Sequence, residues 1–119
     1  MDPGHPSLLF KICVLADWSA SVATGTYQGS ADDRRDGFIH LSSANQLPRT
    51  LETHFGSQTG LVLIALEAAA LGPGLKWEPS RSGELFPHVY GPLPASAALW
   101  VREIPDSGRD EFLRGLVGP

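Results

Sequence analysis

At 119 residues, with 42% hydrophobic and 18% charged side chains, the chain has the length and composition of one ordinary globular domain, which argues against a disordered protein or a two-domain layout. A formal net charge of -4 argues against broad binding to a nucleic-acid backbone, while leaving room for a local anion pocket. No apolar run is long enough to cross a membrane, the start lacks the charged–apolar–small pattern of an export signal, and the single cysteine, Cys13, permits no internal disulfide, so a cytoplasmic protein without a membrane partner is expected.

Residues 1–7 hold two prolines and a glycine and read as a flexible arm with His5 in solvent; residues 8–119 read as the single domain. Residues 8–15, apolar apart from Lys11 and Cys13, predict a first strand, and Cys13 within it a buried thiol. Residues 17–24 predict a helix with Trp18 and Val22 on one face and Gly25 as its stop. The run Asp32-Asp33-Arg34-Arg35-Asp36 predicts a solvated loop, because mixed charges without periodicity offer no face to bury. Next, residues 36–43 (Asp-Gly-Phe-Ile-His-Leu-Ser-Ser) predict a short strand entering a hydroxyl-rich turn. Alternation sends Ile39 and Leu41 one way and Phe38, His40 and Ser42 the other.

Ser43 and Gln46 have capping-box spacing, and Leu47, Leu51 and Phe55 continue at helical period to Gly56. Pro48 fits only the first turn of that helix, or a kink. Residues 61–66 are continuously apolar and predict the central strand of a sheet, buried on both faces. Residues 68–74 read as a turn, 75–79 as a short edge strand, and 80–83 as a polar loop around Arg81. In residues 84–90, Phe86, His88 and Tyr90 alternate with Leu85 and Val89, and Pro87 predicts an edge or a bulge. After a rigid turn at 91–94, residues 97–104 predict a last strand, with one helical turn expected at 111–116.

Three groups of residues carry chemistry. His40, with Ser42 on its face and Ser43 beside it, suits orienting a hydroxyl or general-base work; the alternative is a core histidine bonded to the backbone. Arg81 among serines and a glycine, with Glu78 near, suits an anion and a ribose; the alternative is a solvated loop. Phe86, His88 and Tyr90 form a surface for a flat ring, although aromatics at strand spacing also make ordinary core. His40, His54 and His88 lack the local pairing of metal ligands, so no metal is expected. There is no Gly-x-Ser-x-Gly elbow and no phosphate-cradling Gly-x-x-x-x-Gly-Lys loop.

Taken in order, segments 36–42, 75–78 and 86–93 closely resemble the bacterial domain of unknown function 952 family, and the Trp18 helix and the Tyr27-x-Gly29-Ser30 turn fit it too. That family is distantly similar to the ADP-ribosyltransferase fold, with its nearest echo in RNA 2′-phosphotransferases. The resemblance implies an α+β domain of two packed small sheets and two or three short helices around a cleft for NAD, taken as a substrate. It implies that His40 faces a ribose with Ser42 nearby, that His88 or Tyr90 flanks the nicotinamide, and that Glu78 or Arg81 contacts ribose or phosphate.

The sequence-level reading is therefore an ADP-ribosyltransferase-like α+β domain that binds a small nucleotide-like ligand and transfers or processes ADP-ribose. His40 and Glu78 are the expected catalytic pair, with Glu84 and Glu67 as other carboxylates to consider. Ser42, Ser43, Arg81, Phe86, His88 and Tyr90 are the expected binding residues. Two alternatives stand beside it. One is a non-catalytic module for a metabolite or a protein partner, marked by no carboxylate near His40. The other is a purely structural use of His40 and His88, marked by burial of both.

Overall fold

A computed structural model describes residues 5–80 and 82–117. The apolar run at the start forms β1 (Leu8–Val14), which pairs antiparallel with β4 (Leu61–Glu67), and β4 pairs in turn with β8 (Ala98–Glu103). The predicted central strand is thus central, and its alternation explains why it is apolar throughout. Val62, Ile64 and Leu66 enter one core with Leu9, Trp18, Tyr27 and Ile39. Leu61, Leu63 and Ala65 enter a second core with Phe10, Ile12, Leu47, Leu51 and Leu113. Each face needs a cover. One receives α3 (Leu47–Phe55) and α4 (Arg109–Val117); the other receives α1 (Leu15–Thr24) and a second sheet.

That second sheet has the order β3–β6–β5, built from β3 (Ile39–His40), β6 (Leu85–Val89) and β5 (Leu75–Pro79), all antiparallel. A further ladder joins β2 (Thr26–Tyr27) to β7 (Leu93–Pro94). Among the described residues the architecture is therefore α+β with three small antiparallel sheets, where two were expected, and four α-helices, where two or three were expected. The extra pieces are short. Two-residue ladders carry no periodicity that a sequence could display.

Four local expectations change. The charged run at residues 32–36 lies in a helix, α2 (Ala31–Asp36), because Ser30 and Asp33 form a reciprocal capping box. Gly37 closes that helix at a φ of 86°, a left-handed geometry that costs glycine little. On α1 the buried face is Trp18 and Ser21, while Val22 is 58% exposed. Pro87 lies in the central strand of the second sheet, not at an edge. It is tolerated because its carbonyl accepts from the Leu41 N–H, so its missing donor faces the same side, just past the end of the two-residue β3. His5, expected in solvent, is half-buried against Trp77.

Candidate functional site

Lys11 is the one charged residue inside β1, and alternation points it, like Leu9 and Cys13, into the first core. A lysine there must find an anion, because an unpaired buried ammonium is costly. Asp33 supplies it. Lys11 Nζ lies 2.8 Å from Asp33 Oδ2 and 3.1 Å from Oδ1, and it also donates to the His40 carbonyl at 3.0 Å. The capping box of α2 holds Asp33 in place: the Ser30 N–H donates to Oδ2 at 2.9 Å, and the Asp33 N–H donates to Ser30 Oγ at 3.2 Å.

The remaining capacity of Asp33 goes to His40. Oδ1 accepts the His40 backbone N–H at 3.1 Å and the ring Nδ1 at 2.6 Å. Burial opposes ionisation of Asp33, but the hydrogen bond from His40 and the charge of Lys11 outweigh it, and its carboxyl is held well below the ordinary range. His40 Nε2 points outward, 2.9 Å from Asp36 Oδ2 at the end of α2. A neutral imidazole has one N–H, so only the doubly protonated ring donates to both carboxylates. The His40 side chain is 38% exposed, so the outer nitrogen can meet a ligand.

His88 sits directly opposite His40 across the β3–β6 ladder. The two rings are 5.6 Å apart, edge to face. His88 Nδ1 lies 2.8 Å from Glu78 Oε1, and the Tyr90 hydroxyl donates to the same carboxylate at 2.8 and 3.1 Å. Those bonds, from His88 first and then Tyr90, hold the Glu78 carboxyl below its ordinary value; the Glu78 bond raises the Tyr90 phenol in return. Phe38 joins the two halves. Its ring stacks on His88 with centroids 4.0 Å apart and also touches His40 at 4.7 Å and Tyr90 at 5.4 Å.

The arrangement is thus two histidine–carboxylate pairs beside an aromatic platform. Each imidazole is oriented by a carboxylate, which is what proton transfer requires. Of the residues expected from the sequence, the fold brings His40, Glu78, His88 and Tyr90 together. Phe86 is cross-strand neighbour to Glu78 on the same face but makes none of the ring contacts; Phe38 does. Ser42 is buried and its Oγ donates to Thr50 Oγ1 at 3.2 Å. The Ser43 N–H donates to Gln46 Oε1 at 3.0 Å. Glu84 accepts from Gln46, and Glu67 lies at the far end of β4 opposite Leu8. Arg81 lies outside the described residues.

Lys11, Asp33, Asp36 and Phe38 were not chosen at the sequence level. A lone lysine in an apolar strand, with a Ser-x-x-Asp cap elsewhere, was the available signal for the first two. Among the described residues no three His, Cys, Asp or Glu side chains are grouped to hold a metal ion. Cys13 is buried, and burial pushes its thiol up to about 12, so it is an inert core residue.

A family model described as "Protein of unknown function (DUF952)" matches residues 12–101. The X-ray crystal structure of protein CC0527 from Caulobacter crescentus is similar at a TM-score of 0.83 and 41% identity, over 89% of this chain and 97% of that one. The solution NMR structure of CC0527 is similar at a TM-score of 0.79 and 41% identity, over 94% and 98% of the two chains. No curated protein matches the chain.

Proposed function

The chain belongs to the family described as protein of unknown function DUF952, and from that premise we propose that the His40–His88 face binds a ribosyl ligand carrying a flat ring, of the NAD or ADP-ribose kind, and transfers or processes its ADP-ribosyl group. The observation that carries this reading is the placement of Glu78, clamped by His88 and Tyr90, on the same sheet face as the outward edge of His40. Phe38 and Tyr90 supply the aromatic surface for a nicotinamide ring, and the neighbouring carboxylates suit its positive charge. Glu78 suits ribose hydroxyls and the positive charge that grows on the ribosyl carbon as the glycosidic bond lengthens. The bonding pair leaves on the nicotinamide nitrogen, an acceptor hydroxyl oxygen forms the new bond, and its proton goes to Nε2 of a neutral His40 ring whose single N–H, at Nδ1, faces Asp33.

The phosphates are less well provided for. Lys76, directly opposite His88 in the β5–β6 ladder, is the cation this face offers among the described residues. A second reading follows from the pairing itself: Asp33, Asp36 and Glu78 are all engaged by protein partners. Such a closed network suits a non-catalytic module that displays Phe38 and Tyr90 to a metabolite. A purely structural use of both histidines is disfavoured by the exposure of His40.

A thermal-shift series with NAD, ADP-ribose and nicotinamide separates these readings. A ligand at about a hundred times its dissociation constant adds about 2.7 kcal/mol of stability, a shift of several degrees in a domain of this length. A shift with NAD or ADP-ribose that vanishes in folded His40→Ala protein supports the ribosyl site, and nicotinamide release from NAD would support transfer. Binding without release fits the module. No shift with any of them sinks the ribosyl reading.

A further inference from the structure

By strand alternation Trp77 points away from the sheet face that carries Glu78. Beside it lies a groove of about 530 Å³, walled by Trp77 and Leu85 of the β5–β6 hairpin, by residues 43–45, and by His5 and Pro6 ahead of β1. This volume is within the range of small-molecule sites. The indole packs against the first core and is held in place by it. Its outer surface is covered by the His5 imidazole, with ring centroids 4.0 Å apart and only 8° between the planes. Every other ring pair among the described residues is tilted by 23° or more.

We propose that this groove is a slot for a neutral, planar heteroaromatic ring of purine size, and that His5 holds the slot until such a ring displaces it. The chain's own imidazole shows that a flat heteroaromatic ring lies parallel on the indole. An imidazole covers only part of a bicyclic indole, whereas a purine matches it in extent. Among the described residues, no wall residue other than His5 has an ionisable side chain, which favours a neutral ring. The Ser43 hydroxyl and the Asn45 carboxamide supply the donors and acceptors that the edge of a base requires. The slot uses no residue of the His40–His88 cluster, so the two proposals stand or fall separately.

A ligand competing with His5 binds with an apparent affinity reduced by the fraction of time the slot is open. The test follows the three tryptophan indole N–H resonances by NMR while adenosine, and separately glucose, is added to wild type, His5→Ala and Asn45→Ala proteins. Adenosine should move the Trp77 resonance saturably and leave Trp18 and Trp100 in place. The midpoint should fall about ten-fold in His5→Ala and rise in Asn45→Ala. A Trp77 signal unmoved by adenosine in both wild type and His5→Ala, an equal midpoint in those two, or a response to glucose alone would each overturn the proposal.

Discussion

Removing the carboxylate at position 33 would leave the Lys11 ammonium buried without a counter-ion. Asp33→Asn should therefore cost about 3–5 kcal/mol, measured by denaturant unfolding, while pairing it with Lys11→Met should recover much of that loss. The same residue sets an acid limit. Its folded carboxyl titrates below the ordinary value of 3.8, so its contribution is fully present above that value and is lost as the pH falls through it. Unfolding free energy should thus fall steeply below about pH 4, and more steeply in wild type than in Asp33→Asn. A matching slope in the two proteins would show that Asp33 is not the group responsible. Gly29 touches the same network: a Cβ there, at a φ of 106°, would lie 2.8 Å from the Asp33 Cβ. Gly29→Ala should cost at least about 1–3 kcal/mol from backbone strain alone.

At the scale of elements, strand β4 was legible as an unbroken apolar run and helix α3 as an apolar helical period. Helix α2 was not: six residues with five charges look like a loop, and the Ser30–Asp33 cap with a buried lysine 22 residues away makes them helical. The cap was present in the sequence as Ser-x-x-Asp and Lys11 as a lone charge in an apolar strand; that the two meet was not, because they lie 22 residues apart. Ser30→Ala should lower stability by about 1 kcal/mol and loosen α2, visible as faster amide exchange across residues 31–36. Exchange unchanged there would mean that the Lys11 tie alone holds the helix. Pro87 was misread for a related reason: the rule that bars proline from central strands assumes a long neighbour, and β3 is two residues long.

For the whole molecule, two cores back to back on one sheet explain why so small a chain can hold a buried ion pair at all. Leu63 is fully buried in the central strand, and Leu63→Ala should cost about 2–5 kcal/mol in thermal or chemical unfolding. The site is a product of this layering. The second sheet lies over one core and presents His40, Glu78 and Tyr90 outward with His88 buried beside them, while Asp33 of α2 reaches His40 from below. Strand alternation made the shared face of Phe86, His88 and Tyr90 legible, and the placement of His40 opposite His88 came from a pairing no single segment encodes. The central claim is that this outward face is a ligand site, not merely a satisfied polar patch.

Two-dimensional NMR of the labelled protein with added ADP-ribose tests that claim most directly. The account predicts saturable shifts centred on Phe38, His40, Glu78, His88 and Tyr90, abolished in Glu78→Gln protein that retains the wild-type fold. Shifts confined to other parts of the chain, or none at millimolar ligand, would contradict it.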